Sequence, residues 1–166
     1  MPTVKTESGT AGGAGTPRRR FSAVLLVFLL ICSLIASLSS AAVYFSSVFL
    51  RTDGSAVRIV WSVFCLFMTL SAYSFTVAGL LVNRFAARLF GAWQDLISAG
   101  TVVLGAVSLL IRMIPAVSGN AAAFTLLTVI LVILPPIPAL TGIADLIKKQ
   151  RSRVTREGAP ARRKGK

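Results

Sequence analysis

Catalysis and metal binding draw on a short list of side chains, and this chain is nearly without them. Its 166 residues contain no histidine, two cysteines and five acidic residues: Glu7, Asp53, Asp95, Asp145 and Glu157. Zinc sites, acid–base pairs and serine or cysteine triads are assembled from His, Asp, Glu and Cys. Cys32 and Cys65 each lie within an apolar run, where a thiol packs as a small hydrophobe rather than as half of a disulfide. No catalytic, metal or cofactor residue can be assigned, and the sequence argues against an enzyme. What remains is a set of small hydroxyls and glycines at helical spacing, with charges at the ends of apolar runs.

The densest example runs from Asp95 to Arg112, D-L-I-S-A-G-T-V-V-L-G-A-V-S-L-L-I-R, with no charge between its ends. Asp95, Ser98, Thr101, Gly105, Ser108 and Arg112 recur at steps of three or four and share one side of a helix. Leu96, Val103, Leu110 and Ile111 fall on the opposite side and can face lipid. Small residues on one stripe let a neighbouring backbone approach closely in a membrane. A second run repeats the pattern with Ser62, Cys65, Thr69, Ala72, Thr76, Gly79 and Asn83. The first run does so with Ser33, Ser37, Ser40, Tyr44 and Ser47, and the fourth with Ala121, Thr125, Thr128, Pro135, Ala139 and Gly142, with Val132 breaking the stripe. A mean spacing near 3.5 suits left-handed packing of a compact bundle. Packing through Ser62, Thr69, Thr76, Gly79, Ser98, Thr101, Gly105 and Ser108 is the simplest reading of these stripes. The alternative is a polar path for a small solute along the third run. A transport site usually adds a central ionisable residue or an interrupted helix pair.

These stripes need helices to carry them, and the composition supplies them. The chain is 55% hydrophobic and 14% charged, against roughly 45–50% and about 25% in soluble domains. Four stretches reach the roughly 20 apolar residues that cross a bilayer, at about 21–50, 59–82, 89–114 and 121–143. The fold class is an all-α membrane bundle of four spans in one domain, 21–147. It lies between a disordered basic N-terminal tail, 1–20, rich in Gly, Ser and Thr and without apolar periodicity, and a basic C-terminal tail, 148–166, disordered beyond its first turns. Pro135, Pro136 and Pro138 predict a kink near Leu134, because proline removes a backbone donor. Asp53-Gly54 and the stretch 115–120 read as short connections. A secretory signal cleaved near Ser39-Ser40-Ala41-Ala42 is a rival for the first span, although its apolar run is longer than such a signal's and continues past that site.

Fifteen of the 18 Lys and Arg fall in the two tails and the second connection. Basic segments stay on the cytoplasmic side, so both termini are expected inside. The formal charge of +13 then reflects topology and attraction to anionic inner-leaflet lipid, not nucleic acid. The residues placed for lipid contact are Arg18, Arg19, Arg20, Lys148, Lys149, Arg151 and Arg153. The same charges could serve topology alone. Arg84, Arg88, Asp95 and Arg112 sit at the ends of spans, as interfacial charges do. Asp95 and Arg112 lie too far apart on one helix to pair, whereas Asp95 can reach Arg84 or Arg88.

S-A-V-R-I-V-W-S-V-F-C-L-F-M-T-L-S-A-Y at 55–73 and W-Q-D-L-I-S-A-G at 93–100 resemble segments of the MARVEL-type tetraspan membrane proteins, the first those of fungal members. Asp95 is similarly placed to an acidic residue of the plant Casparian-strip-like relatives. The resemblance covers about a third of the chain, and the arginine those relatives carry in their first span is missing from 21–50. It implies a non-catalytic scaffold that organises membrane, acting as a homo-oligomer or with a membrane-protein partner. The alternative function is a small transporter or channel component.

Overall fold

The computed structural model describes residues 17–49 and 55–157. The N-terminal tail up to residue 16, Asp53-Gly54 and the last residues of the C-terminal tail lie outside this range. Every long element is an α-helix, because a backbone without water must satisfy its polar groups within its own segment. The order is α1 (Pro17–Phe49), α2 (Ser55–Val82), α3 (Ala92–Arg112), α4 (Pro115–Ser118), α5 (Ala121–Ile133) and α6 (Pro136–Glu157). Four helical stretches, Arg20–Ser46, Ile59–Ala87, Ala92–Arg112 and Ala121–Thr155, are long and apolar enough to cross a membrane. By length and composition these are the helices of a multi-pass membrane protein.

Boundaries follow local chemistry. Proline at the first helical position lacks an N–H that would be unpaired there anyway, so α1 starts at Pro17 and takes Arg18–Arg20 into its first turn, where the sequence indicates disorder up to residue 20. After Val82, α2 continues as one wider π-helical turn, Asn83–Ala87. It ends at Arg88, whose φ of 44° is left-handed and whose amide closes onto the Asn83 carbonyl at 2.9 Å. The 115–120 connection holds one short helical turn, α4. Asn120 then caps α5 by accepting from the amides of Ala122 and Ala123, an ordinary N-cap. The fourth span breaks between Ile133 and Pro136, at the predicted kink. Its second half continues to Glu157, ten residues or nearly three turns into the basic tail that begins at 148.

Helix α1 has its most extensive contact with α2, and α6 packs against both α1 and α3. The apolar core is concentrated where α1 begins and α2 ends: Leu26, Leu30, Ala87 and Phe90, with Val82, Leu89 and Leu146 against them. Arg20, Arg84, Arg88 and Lys148 are exposed at this same end. The opposite end opens onto a cavity between α2, α3 and α5. The bundle thus has one basic end, where the apolar core lies, and one open end.

Candidate functional site

The α1–α2 seam is built from the hydroxyl stripes. Ser33 pairs with Thr76 at 2.9 Å and Ser40 with Thr69 at 2.6 Å. One index rises by seven as the other falls by seven, the signature of two antiparallel helices in heptad register. Each threonine also donates to its own helix four residues back, Thr76 to Ala72 at 2.9 Å and Thr69 to Cys65 at 2.8 Å. With the Thr69 proton committed, Ser40 is the donor to Thr69, while Ser33 has both the Thr76 hydroxyl and, at 3.3 Å, the Ala72 carbonyl of α2 in reach. Ser37 bonds the Ser33 carbonyl at 2.7 Å. Interhelical hydrogen bonds in membranes average only ~0.6 kcal/mol. The larger effect of these small residues is to let the two helices lie close.

The α3 stripe is buried through Gln94, Ser98, Thr101, Gly105 and Ser108. Leu96, Val103, Leu110 and Ile111 are exposed, as a lipid face requires. No hydrogen bond joins Ser98, Thr101 or Ser108 to another described helix, so this stripe packs by size. Gly105 is the tight point: a Cβ there would sit 2.6 Å from the Tyr73 hydroxyl oxygen, against its ring. Gly79, placed in the same role by its spacing, has only ordinary contact, 3.9 Å to Leu26. Gly142 is tighter, 3.0 Å from Leu30 and 3.2 Å from the Gln94 amide. Ser62 is exposed at the margin of a cavity, not packed against a helix.

The space above Gly105 lets Tyr73 cross the bundle and donate to the Leu131 carbonyl at 3.1 Å. In an unbroken helix that carbonyl would accept from residue 135, and Pro135 has no N–H. Tyr73 therefore supplies from α2 the donor that α5 lacks at its break. Neighbouring helices commonly satisfy proline-freed carbonyls in this way.

At the basic end, Asn83 organises the turn from α2 to α3. Its side chain accepts the Phe90 amide at 2.8 Å and donates to the Phe90 carbonyl at 3.4 Å. Its second N–H goes to Asp95. Arg84 lies 3.8 Å from the same carboxylate, so the interfacial pairing of Asp95 goes to Arg84, while Arg88 points to the outside in its left-handed turn. Gln94 ties α3 to α6, donating to the Pro138 carbonyl at 2.6 Å and accepting from Thr141 at 3.0 Å. Lys149, assigned to lipid by its position, donates to the Leu89 carbonyl at 2.8 Å and lies 3.6 Å from Asp145. Its ammonium is also 5.3 Å from the Phe90 ring centre. Lys148, Arg151 and Arg153 are exposed on α6, as is Arg20 on α1.

At the open end a cavity of about 310 Å³ lies between α2, α3 and α5, with Tyr44 of α1 on its wall. Arg112 stands on it, its guanidinium carbon 4.0 Å from the centre of the Phe124 ring. Among the described residues no carboxylate is within ion-pair distance of Arg112. Both cysteines are free thiols, and no three Cys, Asp or Glu converge among the described residues. No side-chain nitrogen or oxygen shut off from the surface lacks a partner there.

No protein-family model matches the chain, and neither a curated protein nor a solved structure matches it.

Proposed function

We propose that the chain is a non-catalytic multi-pass membrane protein that acts as an organising scaffold or assembly subunit, as its resemblance to MARVEL-type proteins implies. The observation that supports this most is the use of the buried hydroxyls. Those of α1 and α2 bond each other and their own helices, while those of α3 are buried on the same stripe as Gly105, which packs against Tyr73. The seam hydroxyls of α1 and α2, committed in this way, hold a bundle together and do not replace a solute's water. Association with a second copy or another membrane protein then uses the outer faces. That of α2 is the least covered, with 22% of its most apolar window buried against 33% for the first and fourth spans. The basic end faces the cytoplasm by the positive-inside rule, with Arg20, Lys148, Arg151 and Arg153 toward anionic lipid.

The competing function, a transporter with a polar path along α3, makes the opposite demand on the same residues. The test uses Gly105→Leu, Ser98→Ala, Thr101→Val and Ser108→Ala, with complex size in mild detergent and flux in proteoliposomes measured for each. The scaffold reading expects Gly105→Leu to lose assembly and the three hydroxyl changes to be mild. Normal assembly throughout, with wild-type flux that the hydroxyl variants lose, would replace it with transport.

A further inference from the structure

We propose that the open-end cavity is a binding site for an anionic amphiphile, with one apolar chain between α2, α3 and α5 and a carboxylate or phosphate head on Arg112. The dimensions suit a chain. The α3 wall runs from Arg112 down to Val102, ten residues or about 15 Å at 1.5 Å per residue. That is half of the roughly 30 Å hydrocarbon thickness, the depth one leaflet's chain occupies. The volume of about 310 Å³ is at the lower edge of what small-molecule sites occupy.

The chemistry of the wall selects the kind of ligand. Its deep polar groups are already bonded: Thr69 to Cys65 at 2.8 Å, Thr128 to Phe124 at 2.8 Å and Tyr73 to Leu131 at 3.1 Å. They leave no strong donor for a sugar, an ion or an amino acid, so the depth of the cavity favours hydrocarbon. The mouth differs. Arg112 is half-buried there, and Phe124 holds it in place by a cation–π contact that supplies no anion. A guanidinium in that position matches carboxylate and phosphate oxygens geometrically. A free fatty-acid-like amphiphile and an anionic phospholipid share this chemistry.

The experiment is photo-crosslinking of the full chain in nanodiscs of neutral phosphatidylcholine. Three probes carry a diazirine on an acyl chain: palmitate, phosphatidate and phosphatidylcholine. Sites are mapped by peptide mass spectrometry. An anionic probe should concentrate on Val102, Leu109 and Leu131 over the outward Leu96 and Leu110, and should do so more than the neutral probe. Labelling by palmitate alone identifies a free amphiphile, and labelling by phosphatidate as well identifies a lipid. Arg112→Gln should lower anionic labelling of the cavity roughly tenfold, as loss of a charge-assisted hydrogen bond does, with Arg112→Lys falling between. Equal labelling of cavity and outer face, equal labelling by neutral and anionic probes, or no response to Arg112→Gln overturns the proposal. The wild-type comparison of anionic with neutral probes decides the question even if that variant does not fold.

Discussion

Gly105→Ala adds one methyl group, and the structure says what it must displace. The new Cβ would lie 2.6 Å from the Tyr73 hydroxyl oxygen and against its ring, so Tyr73 has to move and release the Leu131 carbonyl. Overpacking a filled site costs about 1–3 kcal/mol. An interhelical hydrogen bond in a membrane averages ~0.6 and reaches about 1.7 kcal/mol. The upper part of that range applies, because Pro135 cannot supply the missing donor. The expected destabilisation is about 2–4 kcal/mol in all. In a Tyr73→Ala background the obstruction and the bond are both gone, and Gly105→Ala should then cost close to nothing. Reversible unfolding by SDS in mixed micelles, followed by circular dichroism, gives the four corners of the cycle. Pro135→Ala adds a second check: with an amide restored at 135, Tyr73→Phe should become milder. A cost for Gly105→Ala that is the same in both Tyr73 backgrounds would refute the argument, since sites that do not touch are additive.

Two further outcomes concern topology and lipid. In a background of Cys32→Ala and Cys65→Ala, single cysteines at Ala86 and Ser152 should resist an impermeant maleimide in intact cells, while one at Gly119 should react; labelling of Ala86→Cys or Ser152→Cys would reverse the orientation. A peptide of residues 148–166 should bind anionic vesicles and not neutral ones, with affinity falling as salt rises because screening grows. Equal binding to both kinds of vesicle would leave the basic tail with topology as its sole use.

Much of the architecture was legible because the membrane imposes it. A run without charges must be helical, and a stripe of small residues must meet a neighbour, so Ser98, Thr101, Gly105 and Ser108 could be placed inward and Leu96, Val103 and Leu110 outward. The break at Leu134 followed from the prolines. Tyr73, Gln94 and Lys149 were not legible as structural ties, since their partners lie 58, 44 and 60 residues away. No local period encodes such distances. Asn83 was legible as the end of a stripe but not as the pivot of a turn. The available signal was its chemistry: an amide at the end of an apolar span must find partners, and the backbone that follows is the nearest source. Tyr73 could have been reached from the other side, by asking which donor replaces the N–H that Pro135 lacks. Gly79 and Ser62 show the limit of spacing. Both fit the stripe, but the first is loose and the second faces a cavity.

Tyr73 and Gln94 also bear on how the protein is made. Spans leave the ribosome in sequence order, and the partners of these two side chains, Leu131 and Pro138, are on the last span. A nascent chain with three spans inserted holds a phenol hydroxyl and a carboxamide facing a place that only lipid occupies. Both groups are costly to leave unbonded in hydrocarbon. Arrival of the fourth span satisfies them together, and the Leu131 carbonyl, left without a donor by Pro135, is closed by the same tyrosine. Completion of synthesis is thereby coupled to the disappearance of exposed polar groups within the bilayer, which is the feature a membrane quality-control factor can read to tell finished chains from truncated ones.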